Sequence, residues 1–241
     1  MANLANPPRP AITTNTNPEV KISTFDNQPE NGAFFRSSVN LESLQNLVDS
    51  DSLSEDAYDP DCLRLGTDYG VLSPTQSYAI RPINCQVITF YSSPSNSLRR
   101  AASFKDIFTS AQNFHDIISR HRGYSIWWID VQNPSDKTLR LLCSAFHVHP
   151  LTVEDIRMQE THEKMDHFPS YSFVCLRTFT VVMNESKISY EPQTIYMVMF
   201  KEGTLTFNFS KTQHNAHVLD RIAALHDYIA ITRPWLFYAF V

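Results

Sequence analysis

Between Trp127 and Phe179 the chain reads strand, helix, tight turn, acidic helix and strand without a break. Ser125–Val131 is short and apolar enough to be a central strand. Asn133-Pro134-Ser135-Asp136 then opens a helix over Lys137–Phe146. Proline is tolerated in a first turn because its missing N–H has no helical partner. His149-Pro150 repeats the device and opens the next helix, Leu151-Thr152-Val153-Glu154-Asp155-Ile156, with two carboxylates near its start. His162 and His167 are expected in a polar helix beyond it.

The flanking segments extend this pattern. Cys85–Tyr91 reads as a strand, Ser92–Ser97 as a loop and Phe104–Arg120 as one helix with apolar residues at helical spacing. Tyr171–Met183 and Lys187–Phe200 make a long hairpin around Asn184-Glu185-Ser186. Lys201-Glu202-Gly203-Thr204 is a second tight turn leading into a strand at Leu205–Ser210. Helices follow from Asn215 to Ile229 and from Arg233-Pro234 onward. Mixed strands and helices with two hairpins predict a layered α/β/α domain with a mixed sheet.

The formal charge of −5 is unevenly placed. Residues 1–60 hold three Lys/Arg against nine Asp/Glu, which leaves about +1 for the rest. This Pro-, Asn-, Ser- and Asp-rich arm cannot bury enough surface to offset chain ordering, so residues 1–60 are expected to be largely disordered and 61–241 to form the body. One short helix is expected within the arm, at Val39–Val48. A balance this mild gives no sign of a nucleic-acid partner. The chain starts without an apolar signal region, and none of its apolar runs reaches the roughly 18–20 residues that span a bilayer. It stops at Val241 in the middle of a helical pattern, as a piece cut from a longer protein would.

Little chemistry is on offer. The five glycines are unclustered, so no loop can cradle phosphate. The four cysteines lack the spacing of a zinc site, and a reduced cytosolic setting fits them. Arg100-Ala101-Ala102-Ser103 matches a basophilic-kinase pattern that chance often produces. Asn208 heads a sequon inside an expected strand, where a glycan would not fit. Among the nine histidines, His147 and His149 flank a helix junction, and capping or solvated roles outweigh metal ligation. Glu154 and Asp155 are the sharper pair. Adjacent helical residues point about 100° apart, so one ion cannot be chelated by both. They could serve an ion shared with a neighbouring surface. They could equally offset the helix dipole from the first turn.

Taken together, Trp128-Ile129-Asp130-Val131, Phe146-His147-Val148-His149-Pro150-Leu151-Thr152-Val153-Glu154-Asp155-Ile156, Gln159 with Glu163-Lys164, Tyr171–Arg177, Phe200–Ser210 and Trp235–Val241 resemble the cytosolic N-terminal domain of the CorA magnesium-transporter family, in its fungal Alr-type branch. The resemblance covers roughly residues 85–241. It departs from the bacterial members at Gln159–Lys164, where they carry Gln-Arg-Pro-Lys, and it contains neither the stalk nor the membrane spans with their Gly-Met-Asn motif.

The resemblance implies a regulatory domain without catalytic activity. It would lie on the cytosolic face of a membrane, the plasma membrane rather than the vacuolar one, and assemble with other subunits as a homopentamer. Asp155, with Glu154, is then expected to hold regulatory Mg²⁺ completed by a neighbouring subunit. The isolated domain should bind Mg²⁺ only at roughly millimolar levels, because one or two carboxylates with water make a poor site. Two other readings stay open at this stage. One is an acid/base hydrolase using His149, Glu154 and Asp155, and the other is the regulatory domain of a zinc-transporting relative.

Overall fold

Six consecutive buried residues, Trp127–Gln132, form β3 and sit in the middle of the sheet. A computed structural model describes residues 39–50, 86–120, 125–184, 187–210 and 214–241. Its strands are β1 (Val87–Ser92), β2 (Ser97–Ala101), β3, β4 (Lys164–His167), β5 (Ser172–Asn184), β6 (Lys187–Met199) and β7 (Gly203–Asn208). They form one mixed sheet in the order β2-β1-β3-β7-β6-β5-β4. The one parallel pair is β3 with β7, where Trp127 lies opposite Gly203 and Asp130 opposite Thr206.

Alternation across the pleat divides the core in two. Trp127, Ile129, Val131, Leu205 and Phe207 face the layer made by α1 (Leu41–Ser50), α2 (Phe104–Ile107), α3 (Ala111–Ser119), α4 (Asp136–Ala145) and α5 (Pro150–Arg157). Trp128, Ile195, Met197 and Met199 face α6 (His214–Leu225) and α7 (Arg233–Phe240). The expected α/β/α layering with a mixed sheet is therefore the observed architecture. The short helix expected within the acidic arm forms as α1, whose Leu44, Leu47 and Val48 are buried in the first core. Asn40 N–H donates to the Ala145 carbonyl at 3.0 Å, so the packed body takes in residues 39–50 as well.

Gly203 is required by its neighbour rather than by a turn. A Cβ placed there would lie 2.1 Å from the Trp127 ring. The ring fills the space that a side chain on β7 would occupy, and it packs against Phe146 and Phe200.

Three expectations are corrected. Phe104–Arg120 is two helices, because Ser103 and Ser110 each cap a new start. Their hydroxyls accept from Lys105 N–H and Asn113 N–H, both at 3.1 Å. Phe104, Phe108 and Phe114 still stack in the core, so the apolar spacing survives the break. Ser92–Ser97 is only in part a loop: a 3₁₀ turn at Ser93–Ser95 leads into β2, an edge strand with no apolar alternation. The polar helix expected at His162–His167 does not exist. Lys164–His167 is β4, an edge strand antiparallel to β5.

The reason lies in how α4 and α5 end. Each closes with a pair of backbone bonds around a left-handed residue. After α4, His147 has φ 51°, with Val148 N–H donating to Cys143 O at 2.9 Å and His147 N–H to Ser144 O at 3.2 Å. After α5, Gln159 has φ 53°, with Glu160 N–H donating to Asp155 O at 2.9 Å and Gln159 N–H to Ile156 O at 3.1 Å. The usual glycine is absent at both stops; the end of α4 was still expected at Phe146, whereas nothing in the sequence marked the end of α5.

Candidate functional site

His149 caps α5 with its own ring: Nδ1 accepts from Leu151 N–H at 3.2 Å, and Pro150 occupies the first turn. Tyr171, just before β5, holds the same end. Its hydroxyl accepts from His149 N–H at 3.0 Å and shares a hydrogen bond with Thr152 Oγ1 at 3.0 Å. Phe168 stacks on Tyr171, with centroids 4.5 Å apart, and on His149 at 5.7 Å. The start of α5 is thus fixed by a tyrosine 22 residues away from His149 in the chain.

Along this fixed helix the two carboxylates part company. Glu154 is exposed and lines an open groove of about 740 Å³ together with Arg140, His147, His149, Arg157 and Phe168. Asp155 turns away from that groove toward β4. Lys164 Nζ donates to Asp155 Oδ2 at 2.8 Å and lies 3.4 Å from Asp166 Oδ2. The ammonium also sits 5.6 Å from the centre of the Phe173 ring. The hydrogen bond that Lys164 donates to Asp155 is the chief cause that raises the Lys164 pKa.

The histidines do not converge either. His147 lines the groove, and His149 spends Nδ1 on the cap. His162 Nδ1 lies 2.6 Å from Glu160 Oε1 and His167 Nδ1 lies 3.0 Å from Ser172 Oγ. The Glu160 carboxylate accepts from Thr161 N–H and His162 N–H as well, and the His162 contacts above all hold its pKa down to about 2. Among the described residues no three His, Cys, Asp or Glu side chains are placed to hold a metal. Glu154 and Asp155 within one chain therefore do not fit a Mg²⁺ ion. They serve two surfaces, and one of them already has a cation. The three side chains of the acid/base reading do not meet in one groove: His149 and Glu154 line it, and Asp155 is not among its lining residues. Ser103 is buried and engaged as a cap, so the kinase pattern is closed in this fold. Cys62 and Cys85 lie outside the described residues, while Cys143 and Cys175 are buried free thiols.

A second cluster was not singled out by chemistry in the sequence. Asp130 is fully buried on the α6 side of β3. Oδ1 accepts from Thr206 Oγ1 at 2.6 Å and Asn208 Nδ2 at 3.4 Å. Oδ2 accepts from Asn215 Nδ2 at 2.6 Å and Gln132 Nε2 at 3.4 Å. Thr206 Oγ1 in turn accepts from Trp128 Nε1 at 2.9 Å. Burial lifts the Asp130 pKa to about 6 against these donors and the charge of Arg100. The available signal was an aspartate within six residues that otherwise read as a buried strand. Asn208 is buried in this cluster, in keeping with its sequon being a chance match.

The fold and this surface define a layered α/β domain whose exposed acidic helix is pinned to a sheet edge. Residues 124–240, from the approach to β3 through α7, match the family described as CorA-like Mg²⁺ transporter protein. It is 39% identical over 153 residues to the magnesium transporter ALR2 of Saccharomyces cerevisiae, a match covering 64% of this chain and 18% of that protein. It is 40% identical over 155 residues to a putative metal ion transporter of Schizosaccharomyces pombe, covering 64% and 19%. The chain thus spans about a fifth of the length of these curated relatives. The soluble domain of CorA from Methanocaldococcus jannaschii aligns with a TM-score of 0.42 at 18% identity, over 64% of this chain and 53% of that one. Among the described residues no helix is long and apolar enough to cross a membrane.

Proposed function

We propose that this chain is the cytosolic, N-terminal regulatory part of a magnesium transporter. It senses divalent cations where subunits of a homopentamer meet, and so gates Mg²⁺ uptake across the plasma membrane. The observation that carries this reading is the 39% identity to a magnesium transporter over 153 residues, beside the family match of residues 124–240, which contain α5. The geometry is compatible with it in one respect. Asp155 is 28% exposed at its side chain and faces outward, so a group from another subunit can reach it. A regulatory ion would then need that second subunit, because one chain supplies too few oxygens for a hard cation. Occupancy would favour the closed assembly, and loss of the ion would relax it through the difference in affinity between the two states.

The test replaces the equivalent segment of ALR2 with this chain in yeast and follows Mg²⁺ uptake against cytosolic Mg²⁺. Uptake is expected to fall as Mg²⁺ rises, and Asp155→Asn is expected to weaken that fall. Uptake that ignores both Mg²⁺ and the substitution overturns the reading.

A further inference from the structure

The hairpin of β5 and β6 runs from Ser172 opposite Met199 to Asn184 opposite Lys187, but flanking strands support only its base. β4 pairs with Ser172–Cys175 and β7 with Tyr196–Met199. From Leu176 opposite Ile195 outward it is a two-stranded ribbon, with no third strand beside it among the described residues. The faces of this ribbon differ. On one, Thr180 and Gln193 are buried and Thr178 Oγ1 shares a hydrogen bond with His214 Nε2 of α6. On the other, Phe179, Ile188 and Tyr190 are 59%, 59% and 65% exposed, and Pro192 lies directly opposite Phe179. The Phe179 and Tyr190 rings meet edge to face at 5.4 Å. With Pro192, Arg177 and residues 161–163 they line an open hollow of about 620 Å³.

We propose that this aromatic face is a docking surface for a proline-rich segment of another protein, held as a polyproline II helix. The area is too small for a second copy of the chain. Three large side chains exposed by about 60% offer on the order of 350 Å², whereas a stable pair of proteins buries about 800 Å² on each side. The edge of the ribbon is closed to an added strand at its root, because Arg177 N–H already donates to Glu163 Oε1 at 3.1 Å. A polyproline II helix needs neither a large area nor a free edge. It is preformed, so docking costs little ordering entropy. Its prolines bring carbonyl acceptors and no N–H. The Tyr190 hydroxyl and the Arg177 guanidinium stand at the hollow as the donors such a ligand requires. Crossed aromatic rings beside a proline supply the ridges between which its pyrrolidine rings seat.

The test is a fluorescence-polarisation titration of the 241-residue chain against a labelled peptide of ten prolines, with a Gly-Ser peptide of equal length as control. The proline peptide is expected to bind saturably and the Gly-Ser peptide not at all. Phe179→Ala and Tyr190→Ala should each weaken binding about tenfold, as loss of an aromatic anchor does. Tyr190→Phe keeps the ring but loses the donor, and about threefold in affinity should go with it. Leu151→Ala, at an exposed position on α5, should change nothing. Thermal melts check folding, and Phe179→Leu serves if the alanine variant melts early. Absence of saturation at roughly millimolar chain overturns the proposal. So do alanine variants that bind like wild type, or a Gly-Ser peptide that binds as well as the proline one. Sedimentation of wild type as a dimer that Phe179→Ala dissociates also overturns it, since the face would then belong to a second copy.

Discussion

Asn215, in the first turn of α6, donates its Nδ2 to Asp130 Oδ2 at 2.6 Å, tying that helix to the central strand of the sheet. The bond crosses from one layer to the next at a point with no exposure to water. Around it, Thr206, Asn208 and Gln132 supply the remaining donors. A buried carboxylate surrounded only by donors is an interlayer clamp, and its protonation state is decided by burial against hydrogen bonding.

That contest has a measurable sign. Burial raises the Asp130 pKa from 3.8 to about 6 in the folded protein. Between these values the folded state holds a proton that the unfolded state has released. The stability contributed by Asp130 is therefore full below pH 4, declines as pH rises toward 6, and is flat above it. The decline amounts to about 3 kcal/mol, at 1.4 kcal/mol per unit. Asp130→Asn cannot titrate, so urea midpoints of wild type relative to this variant are expected to fall between pH 4.5 and 7. A gap independent of pH would mean that the donors outweigh burial and the carboxyl is ionised throughout.

Gly203→Ala is expected to be among the costliest single-methyl changes. The added carbon meets the Trp127 ring at 2.1 Å, and that ring is wholly buried between Phe146 and Phe200. Overpacking of this kind costs about 1–3 kcal/mol. Chemical denaturation measures it, and Trp127→Leu in the same chain should recover part of the loss. A Gly203→Ala protein as stable as wild type would show that the ring can move aside.

Much of the fold was legible because local chemistry and position agreed. Asn133–Asp136 and His149-Pro150 announce helix starts, and the two apolar runs around Asn184 announce their hairpin. What could not be read was set by partners distant in sequence. β2 is an edge strand of Ser, Leu and Arg that becomes a strand through pairing with β1. Phe108 belongs to the core whether the helix breaks or not. At the candidate site, the divergence of Glu154 and Asp155 follows from helix geometry alone. The partner of Asp155 does not, since Lys164 reaches it only because α5 stops at Arg157 and the chain returns as β4. Glutamine at the left-handed position after α5 hid that stop, whereas the end of α4 was legible to within a residue.

Those two positions give a stabilising prediction. His147 is exposed at φ 51°, a region that costs a residue with a side chain about 1–2 kcal/mol. Glycine removes that strain but gains freedom in the unfolded chain. The net expectation for His147→Gly is a gain of about 0.5–1 kcal/mol, read as a higher urea midpoint with an unchanged slope. Gln159→Gly should behave alike without loosening the Asp155–Lys164 pair. A loss of stability in His147→Gly would mean that the imidazole makes a favourable contact in the groove.

The hydroxyl of Tyr171 allows the anchoring of α5 to be separated from the packing beneath it. Tyr171→Phe keeps the ring on Phe168 and Phe200 but removes the acceptor of His149 N–H and the partner of Thr152 Oγ1. Thr152 is only 1% exposed, so water replaces little of what is lost there. The expected cost is about 1–2 kcal/mol. Its location matters more than its size. Amide exchange should quicken at Leu151–Ile156 and stay unchanged in β3 and β7, because the hydroxyl touches only the start of α5. Exchange that rises evenly across the sheet would instead assign Tyr171 to general core stability, and the helix carrying Glu154 and Asp155 would then owe its placement to Phe168, Val148 and Ile156 alone.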